Sequence, residues 1–309
     1  MVHLQIPATS ANLGAGFDSL GIAVTLYNQV NIDESEGVSI TALDGAAIPL
    51  DESNLIYQTA SRLFRLCGRP FRGLTIQQVN EIPMARGLGS SSACIVAGLL
   101  GANELMGRPL GMGDLLNEAA AVEGHPDNVA PALLGGMVTA VVEDGKVWQV
   151  KQELRDDLAM VAVVPDFPLK TADARAALPG EIPHRDGVYN LSRAALMAVS
   201  LASGRYENLA VACGDRLHQP YRLKLIPHGE EVLAICRELG AYGAYLSGAG
   251  STLMALVPRS HAGFASELRT RLDRLGLEGW KIHTLAADNA GARVLPQSCP
   301  PAEAGTNGR

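Results

Sequence analysis

No run of lysine or arginine in this sequence exceeds two, and the formal net charge is −7. The electrostatic footprint of a nucleic-acid-binding protein is therefore missing, and no polynucleotide partner is expected. No apolar stretch approaches the roughly 18 residues of a spanning helix, so no membrane partner is expected. The N-terminus, MVHLQIPATSANLG, lacks a basic region followed by a hydrophobic block, which speaks against a signal peptide and for a cytoplasmic protein. Five cysteines (Cys67, Cys94, Cys213, Cys236, Cys299) form no CxxC pair, and the odd count fits reduced thiols better than a disulfide framework or a zinc site. Aromatics are scarce at 5%, and no repeat of fixed period is found.

What remains is an ordinary globular balance, with 47% apolar and 18% charged residues, which excludes a disordered or coiled-coil chain. A length of 309 residues fits about two domains. Val2 to Ile6, Ile22 to Ile32 and Gly73 to Val79 read as strands, while the apolar spacing of Asn54 to Leu66, closed by Cys67-Gly68, predicts a helix. Asp144-Gly145 between two apolar runs predicts a hairpin. The continuous apolar run Leu158 to Val164, ended by Pro165, suits a central strand. A domain boundary is placed near 155. Beyond it, helices at 191–203, 229–239 and 261–275 and strands at 242–247, 252–257 and 279–286 give an α+β order, with helices packed across antiparallel strands. The chain thus divides into 1–155, 156–295 and a Pro- and Gly-rich tail, 296–309, expected to be flexible.

The glycines, 33 in all, concentrate in three clusters. In Pro83-Met84-Ala85-Arg86-Gly87-Leu88-Gly89-Ser90-Ser91-Ser92-Ala93 the glycines permit a sharp turn, and Ser90 or Ser91 is a natural cap for the apolar helix that follows. Free N–H groups and the positive helix end would converge there on a phosphate. A Walker A loop is excluded because no lysine stands between Gly87 and Ala93, and a dinucleotide fingerprint because the third glycine is absent. The second cluster, Pro7-Ala-Thr-Ser-Ala-Asn12-Leu-Gly-Ala-Gly-Phe-Asp18-Ser-Leu-Gly21, puts Asn12 and Asp18 in a loop between strands, where turn chemistry is the plain alternative to function. The third, Ser247-Gly248-Ala-Gly-Ser-Thr252, reads as a plain hairpin or as a second backbone approach to a ligand.

In this order and at these separations, the three clusters resemble the GHMP kinase superfamily across nearly the whole chain. Glu123-Gly-His125-Pro-Asp-Asn128-Val-Ala-Pro131 and His218-Gln-Pro-Tyr-Arg222 make the sequence most similar to its homoserine kinase branch. The resemblance implies a two-domain fold, with an N-terminal domain like domain 2 of ribosomal protein S5 and a ferredoxin-like C-terminal domain. It implies ATP and L-homoserine as substrates, magnesium as cofactor, and an often dimeric assembly.

It also implies roles for particular residues. The 83–93 loop would wrap the ATP phosphates, with Ser91 facing magnesium, and Asn54 would lie near the adenosine, its plain alternative being the N-cap of the next helix. The metal carboxylate would be Glu118 or Glu123; Glu118 is preferred, one gap away from the family spacing to Asn128, and Glu123 is then a helix-end group. Homoserine is a zwitterion, so its site needs an anion and a guanidinium fork. Asp18 is the implied ammonium partner, Arg175 and Arg222 the carboxylate partners, and Asn12, His125, Asn128, Thr171 and Gly248 the neighbouring contacts. Asn128 stands where galactokinase and mevalonate kinase carry an aspartate, and an amide is no general base. Catalysis is then expected from positioning and electrostatics, with Asn128, Asn12 and His125 at the reacting centre. Another kinase of the superfamily, acting on mevalonate or a sugar, would have no use for a zwitterion site. A catalytically silent nucleotide-binding regulator would have no use for the metal carboxylate.

Overall fold

The computed structural model describes residues 1–296. Strand β1 (Val2–Ala11) lies antiparallel to the long β2 (Leu20–Glu34), and the loop between them is the second glycine cluster. Strands β3 (Gly37–Ala42) and β4 (Gly73–Asn80) pair in parallel, because helix α1 (Leu55–Leu66) makes the crossover between them. Three helices then stack over this sheet: α2 (Ser90–Leu105), α3 (Met112–Glu123) and α4 (Pro126–Leu134). Helix α2 is apolar nearly all round and buries Ile95, Val96, Leu99 and Leu100, so it forms the middle of the core. Strands β5 (Met137–Glu143) and β6 (Lys146–Gln152) form the expected hairpin, with φ of 51° at Asp144 and 74° at Gly145 as a two-residue type I′ turn requires.

The chain then changes sheets. Strand β7 (Leu158–Val164) is central in a four-stranded antiparallel sheet with β8 (Gly243–Leu246), β9 (Leu253–Pro258) and β10 (Lys281–Leu285), in the order β10-β7-β9-β8. Its uninterrupted apolar run serves two cores. Met160, Ala162 and Val164 face the core shared with the first half, while Val161 and Val163 face helices α9 (Gly229–Glu238) and α10 (Phe264–Asp273). Between β7 and α9 run α5 (Thr171–Ala176), the long α6 (His184–Ser203), and the short α7 (Leu209–Ala212) and α8 (Gln219–Arg222).

A boundary near 155 falls between β6 and β7. The expected second unit, 156–295, does not stay together, because its last strand, β11 (Arg293–Leu295), crosses back to pair with β1 in the first sheet. Of the tail expected at 296–309, all but Pro296 lies outside the described residues, as does Cys299. Cys67, Cys94, Cys213 and Cys236 are unpaired, and burial pushes the thiols of Cys213 and Cys236 up to about 12. Among the described residues, no helix is long and apolar enough to cross a membrane.

Candidate active site

The three glycine clusters, spread between Pro7 and Thr252 along the chain, meet at one cleft between its two halves. The 247–252 turn joins β8 to β9 and also staples the other two clusters together. Ser247 Oγ donates to the Gly87 carbonyl at 2.6 Å, Gly248 N–H to Ala11 at 3.1 Å, and Thr252 N–H to Arg86 at 2.9 Å. The 83–93 loop lies so close to its neighbours at two positions that only glycine fits. A Cβ on Gly87 would stand 2.3 Å from the Ser247 carbonyl oxygen, and one on Gly89 2.0 Å from Thr9 Oγ1; both residues also adopt positive φ.

Gly89 occupies the N-cap of α2 and brings no side-chain acceptor, so the first-turn N–H groups at Ser90 to Ser92 stay open at the positive end of the helix. Ser90, Ser91 and Ser92 line the cleft there, with Ala85, Arg86, Gly87 and Gly89. The Arg86 guanidinium is engaged by the carbonyls of Pro165, Asp166 and Met84 and pins the loop. Of the remaining loop residues, Leu88 and Ala93 are buried in the core, and Pro83 and Met84 are not among the cleft residues.

Ser91 Oγ donates to one carboxylate oxygen of Glu123 at 3.0 Å, and Ser92 Oγ to the other at 2.9 Å. Glu123 is the last residue of α3, so the end of that helix faces the start of α2. The preferred Glu118 lies away from Ser91. Five residues of helix turn the chain about 140°, and Glu118 points instead to Arg62, 3.1 Å away. The hydroxyl and carboxylate oxygens of Ser91 and Glu123 are hard donors that fit magnesium. Asn54, expected near the adenosine with helix capping as its plain alternative, has its polar atoms engaged in capping. Its Oδ1 caps α1 by accepting from the N–H groups of Ile56 at 3.0 Å and Tyr57 at 3.4 Å, its Nδ2 donates to Pro49, and it does not line the cleft.

In the middle of the cleft, Asn128 sits in the first turn of α4, where Thr9 Oγ1 donates to its Oδ1 at 2.8 Å. That bond sets which way the amide faces. His125 Nδ1 lies 2.5 Å from the buried Asp127 carboxylate. Burial works against charge on His125, but Asp127, with Glu123 and Asp18 beyond it, outweighs burial and holds the imidazole pKa above its ordinary value.

At the far end, Asn12 Oδ1 accepts from Asp18 N–H at 3.1 Å, and its Nδ2 donates to the Gly248 carbonyl at 2.9 Å. Arg175 donates to both oxygens of Asp18, at 3.0 and 3.1 Å. Arg222 is 2% exposed, donating to the Ala174 carbonyl at 3.2 Å and to Gly248 at 3.1 Å. Burial, helped by Arg175, lowers its pKa to about 10, so it stays cationic at neutral pH. Phe17 lies 5.1 Å from the Arg222 guanidinium and 5.7 Å from that of Arg175, and its ring stacks on His218. Thr171, at the start of α5, completes this wall. Asp18, His125 and Asp127 each offer a ligand atom within 4.8 Å of the others, which makes this end attractive to a cation.

Sequence reasoning passed over Asp127, Thr9 and Phe17 and set Glu123 aside. Asp127 and Glu123 both stood inside the quoted Glu123–Pro131 motif, and Thr9 and Phe17 inside the Pro7–Gly21 cluster.

Comparison with known proteins adds to this geometry. A family model described as the GHMP kinases N-terminal domain matches residues 54–136, and one described as the GHMP kinases C-terminal matches 197–271. The chain is 46% identical over 297 residues to a homoserine kinase of Clostridium beijerinckii, covering 96% of this chain and 99% of that protein. It is 43% identical over 298 residues to a homoserine kinase of Caldicellulosiruptor saccharolyticus, covering 96% and 97%. Its fold superposes on the crystal structure of homoserine kinase from Cytophaga hutchinsonii with a TM-score of 0.85, at 28% identity and 95% and 97% coverage.

Proposed function

The chain belongs to the GHMP kinase family, among the homoserine kinases, and from that premise we infer that it moves the γ-phosphoryl group of ATP to the side-chain hydroxyl of L-homoserine. The products are O-phospho-L-homoserine and ADP, on the way to threonine. One observation carries the reading at the level of the site. The open N-terminus of α2 and the Ser91–Glu123 pair stand at one end of a cleft whose other end holds Asp18, Arg175 and Arg222.

ATP phosphates are assigned to the first-turn N–H groups of α2 and the backbone at Gly87 and Gly89, where helix dipole and free donors favour an anion. Ser91 and Glu123 would hold magnesium, which supplies charge neutralisation to the phosphates. The adenosine is assigned to the open groove between α1 and α3, walled by Leu55, Gln58, Arg62 and Val122, the last next to Glu123. Asn54 then acts by capping the helix that forms one wall.

The amino acid lies with its carboxylate toward Arg175 and Arg222 and its ammonium toward Asp18, beside Asp127. Its hydroxyl then reaches Asn128, whose amide Thr9 holds in one orientation. Asn128 accepts no proton. His125 is held toward its protonated form by Asp127, which makes it a poor base and a good source of positive charge and orientation. The transition state of phosphoryl transfer is loose, so the site works by aligning the hydroxyl with the γ-phosphorus and by donors aimed at the phosphoryl oxygens. As the new O–P bond forms and the bond to ADP breaks, the hydroxyl proton passes to a phosphoryl oxygen.

The test is ADP release by purified protein with Mg-ATP and, in parallel, L-homoserine, mevalonate, galactose and L-threonine. Homoserine alone is expected to stimulate release. Phosphorylation of mevalonate or galactose with homoserine ignored would overturn the substrate assignment.

A further inference from the structure

His218 opens the His218-Gln-Pro-Tyr-Arg222 motif, yet it does not line the cleft. It is fully buried, and its ring meets the Asn12–Asp18 loop twice. Nε2 lies 2.7 Å from the Gly14 carbonyl, which can only accept, so Nε2 carries the proton and donates. The ring face stacks on Phe17, the neighbour of Asp18, with centroids 5.3 Å apart and planes at 24°. The backbone of the same residue reaches the other side of the site, where its carbonyl accepts from the Arg222 N–H at 3.0 Å. Histidine here leaves Nδ1 buried with no partner, and burial holds the pKa of the ring below its ordinary value. A phenylalanine would fill the same space without that unpaired atom. The N–H on Gly14 is therefore what the histidine adds.

Asp215, whose side chain is buried beside it, fixes where His218 sits. Its Oδ2 accepts from the N–H groups of His218 at 2.9 Å and Gln219 at 2.6 Å, and its Oδ1 from Leu217 N–H at 3.0 Å and Asn190 Nδ2 at 2.6 Å. Asn190 Nδ2 also donates to the Ala15 carbonyl at 3.2 Å. Two successive carbonyls of the loop are thus gripped by one network, which also seats the short helix carrying Arg222. The loop needs such a grip. Asn12, Leu13 and Asp18 have φ of 71°, 46° and 54°, a left-handed backbone that non-glycine residues keep only where the surroundings enforce it.

We propose that His218 is a positioning residue of the amino-acid site: its ring N–H holds the Asp18 loop and its carbonyl holds Arg222, so the two stand at a fixed separation. The inference rests on the reading of Asp18 and Arg222 as partners of the ammonium and the carboxylate. Both charges of an α-amino acid sit on its Cα, so fixing their partners against each other fixes that carbon. Only a side chain of one length then brings its hydroxyl to the γ-phosphorus. His218 in this way sets chain-length selectivity without touching the substrate.

Two substitutions separate the N–H from the ring. His218→Phe keeps the stack on Phe17 and loses the donor; His218→Gln loses the stack and keeps an N–H near the place of Nε2. His218→Phe is expected to raise the KM for homoserine about tenfold or more with the KM for ATP nearly unchanged, and to narrow the preference for homoserine over 5-hydroxy-L-norvaline, one methylene longer. His218→Gln is expected to restore both toward the parent values. In the substrate-free protein, amide hydrogen exchange across residues 12–20 is expected to quicken in His218→Phe but not in His218→Gln, with α2 unchanged in both. If His218→Phe does not fold, Asn190→Ala, which frees the Ala15 carbonyl and leaves His218 in place, is expected to show the same split between the two KM values. Equal rises in both KM values, a parent-like His218→Phe, a His218→Gln as impaired as His218→Phe, or an Asn190→Ala without the split would overturn the proposal. Should the parent ignore homoserine, the substrate reading fails by itself, and the exchange comparison still decides: unchanged exchange in His218→Phe would mean that His218 does not hold the loop.

Discussion

Asp18 and Arg175, 157 residues apart in the chain, hold each other by two parallel hydrogen bonds of 3.0 and 3.1 Å across the mouth of the cleft. Each is the implied partner of one charge of the substrate. On the proposed reading, an incoming zwitterion would replace this pair with two new ones, its ammonium on Asp18 and its carboxylate on Arg175. A molecule with only one of the two charges leaves a partner unmatched. Asp18→Asn is therefore expected to raise the KM for homoserine by about 10–100-fold with the KM for ATP nearly unchanged. 4-Hydroxybutyrate and 3-aminopropanol, each lacking one charge, are expected to be very poor acceptors; steady-state kinetics with the three compounds checks both points.

Arg222 tests the carboxylate end separately. It is buried and held by two backbone carbonyls, so its fork is preset. Arg222→Lys keeps the charge and loses the planar fork, and is expected to raise the KM for homoserine at least about tenfold while leaving the KM for ATP alone. A thermal melt of the same sample checks that the fold persists. Equal effects on both KM values would remove Arg222 from the amino-acid site.

The two glutamates of α3 make a direct contrast. Glu123→Gln is expected to lower kcat by about 100-fold or more and to raise the magnesium concentration needed for half-maximal rate. Glu118→Gln, which breaks only an exposed ion pair with Arg62, is expected to behave as the parent enzyme does. A magnesium titration of the two variants gives the answer, and the reverse pattern would restore Glu118.

His125 predicts a pH dependence of stability. Its folded pKa lies above 6.5 because Asp127 and its neighbours outweigh burial. The contribution is therefore fully present below 6.5 and is lost as the pH rises through the raised folded value. The difference in urea stability between the parent and His125→Gln is expected to shrink as the pH rises from 6.5 through the raised folded value. A difference that grows with pH would mean that the imidazole is held neutral.

What the sequence disclosed and what it hid separate along physical lines. Local signals were legible: the Asp144-Gly145 turn, the apolar run of β7, and the glycines on which the 83–93 and 247–252 backbones depend. Of helix α3 only the end at Glu123 was read, and α4 was not foreseen, because Pro126 and Pro131 punctuate a short, alanine-rich stretch whose helix packs against α2, α3 and the first sheet. The edge strands β3 and β11 are short and carry little pattern of their own. Within the site, residue identities were legible but partners were not. Spacing along α3 could not tell which glutamate faces Ser91, since that depends on how α3 lies against α2, and nothing near Asp18 pointed to Arg175. Asn54 illustrates the competing case, in which the plain capping role accounts for every polar atom of the side chain.

The most direct measurement is phosphorus NMR of the reaction of Mg-ATP with L-homoserine. The account predicts that the γ-phosphate signal of ATP is replaced by a phosphomonoester coupled to the terminal methylene protons of homoserine, one equivalent for each ADP formed. Inorganic phosphate as the sole new signal, with homoserine unchanged, would contradict it.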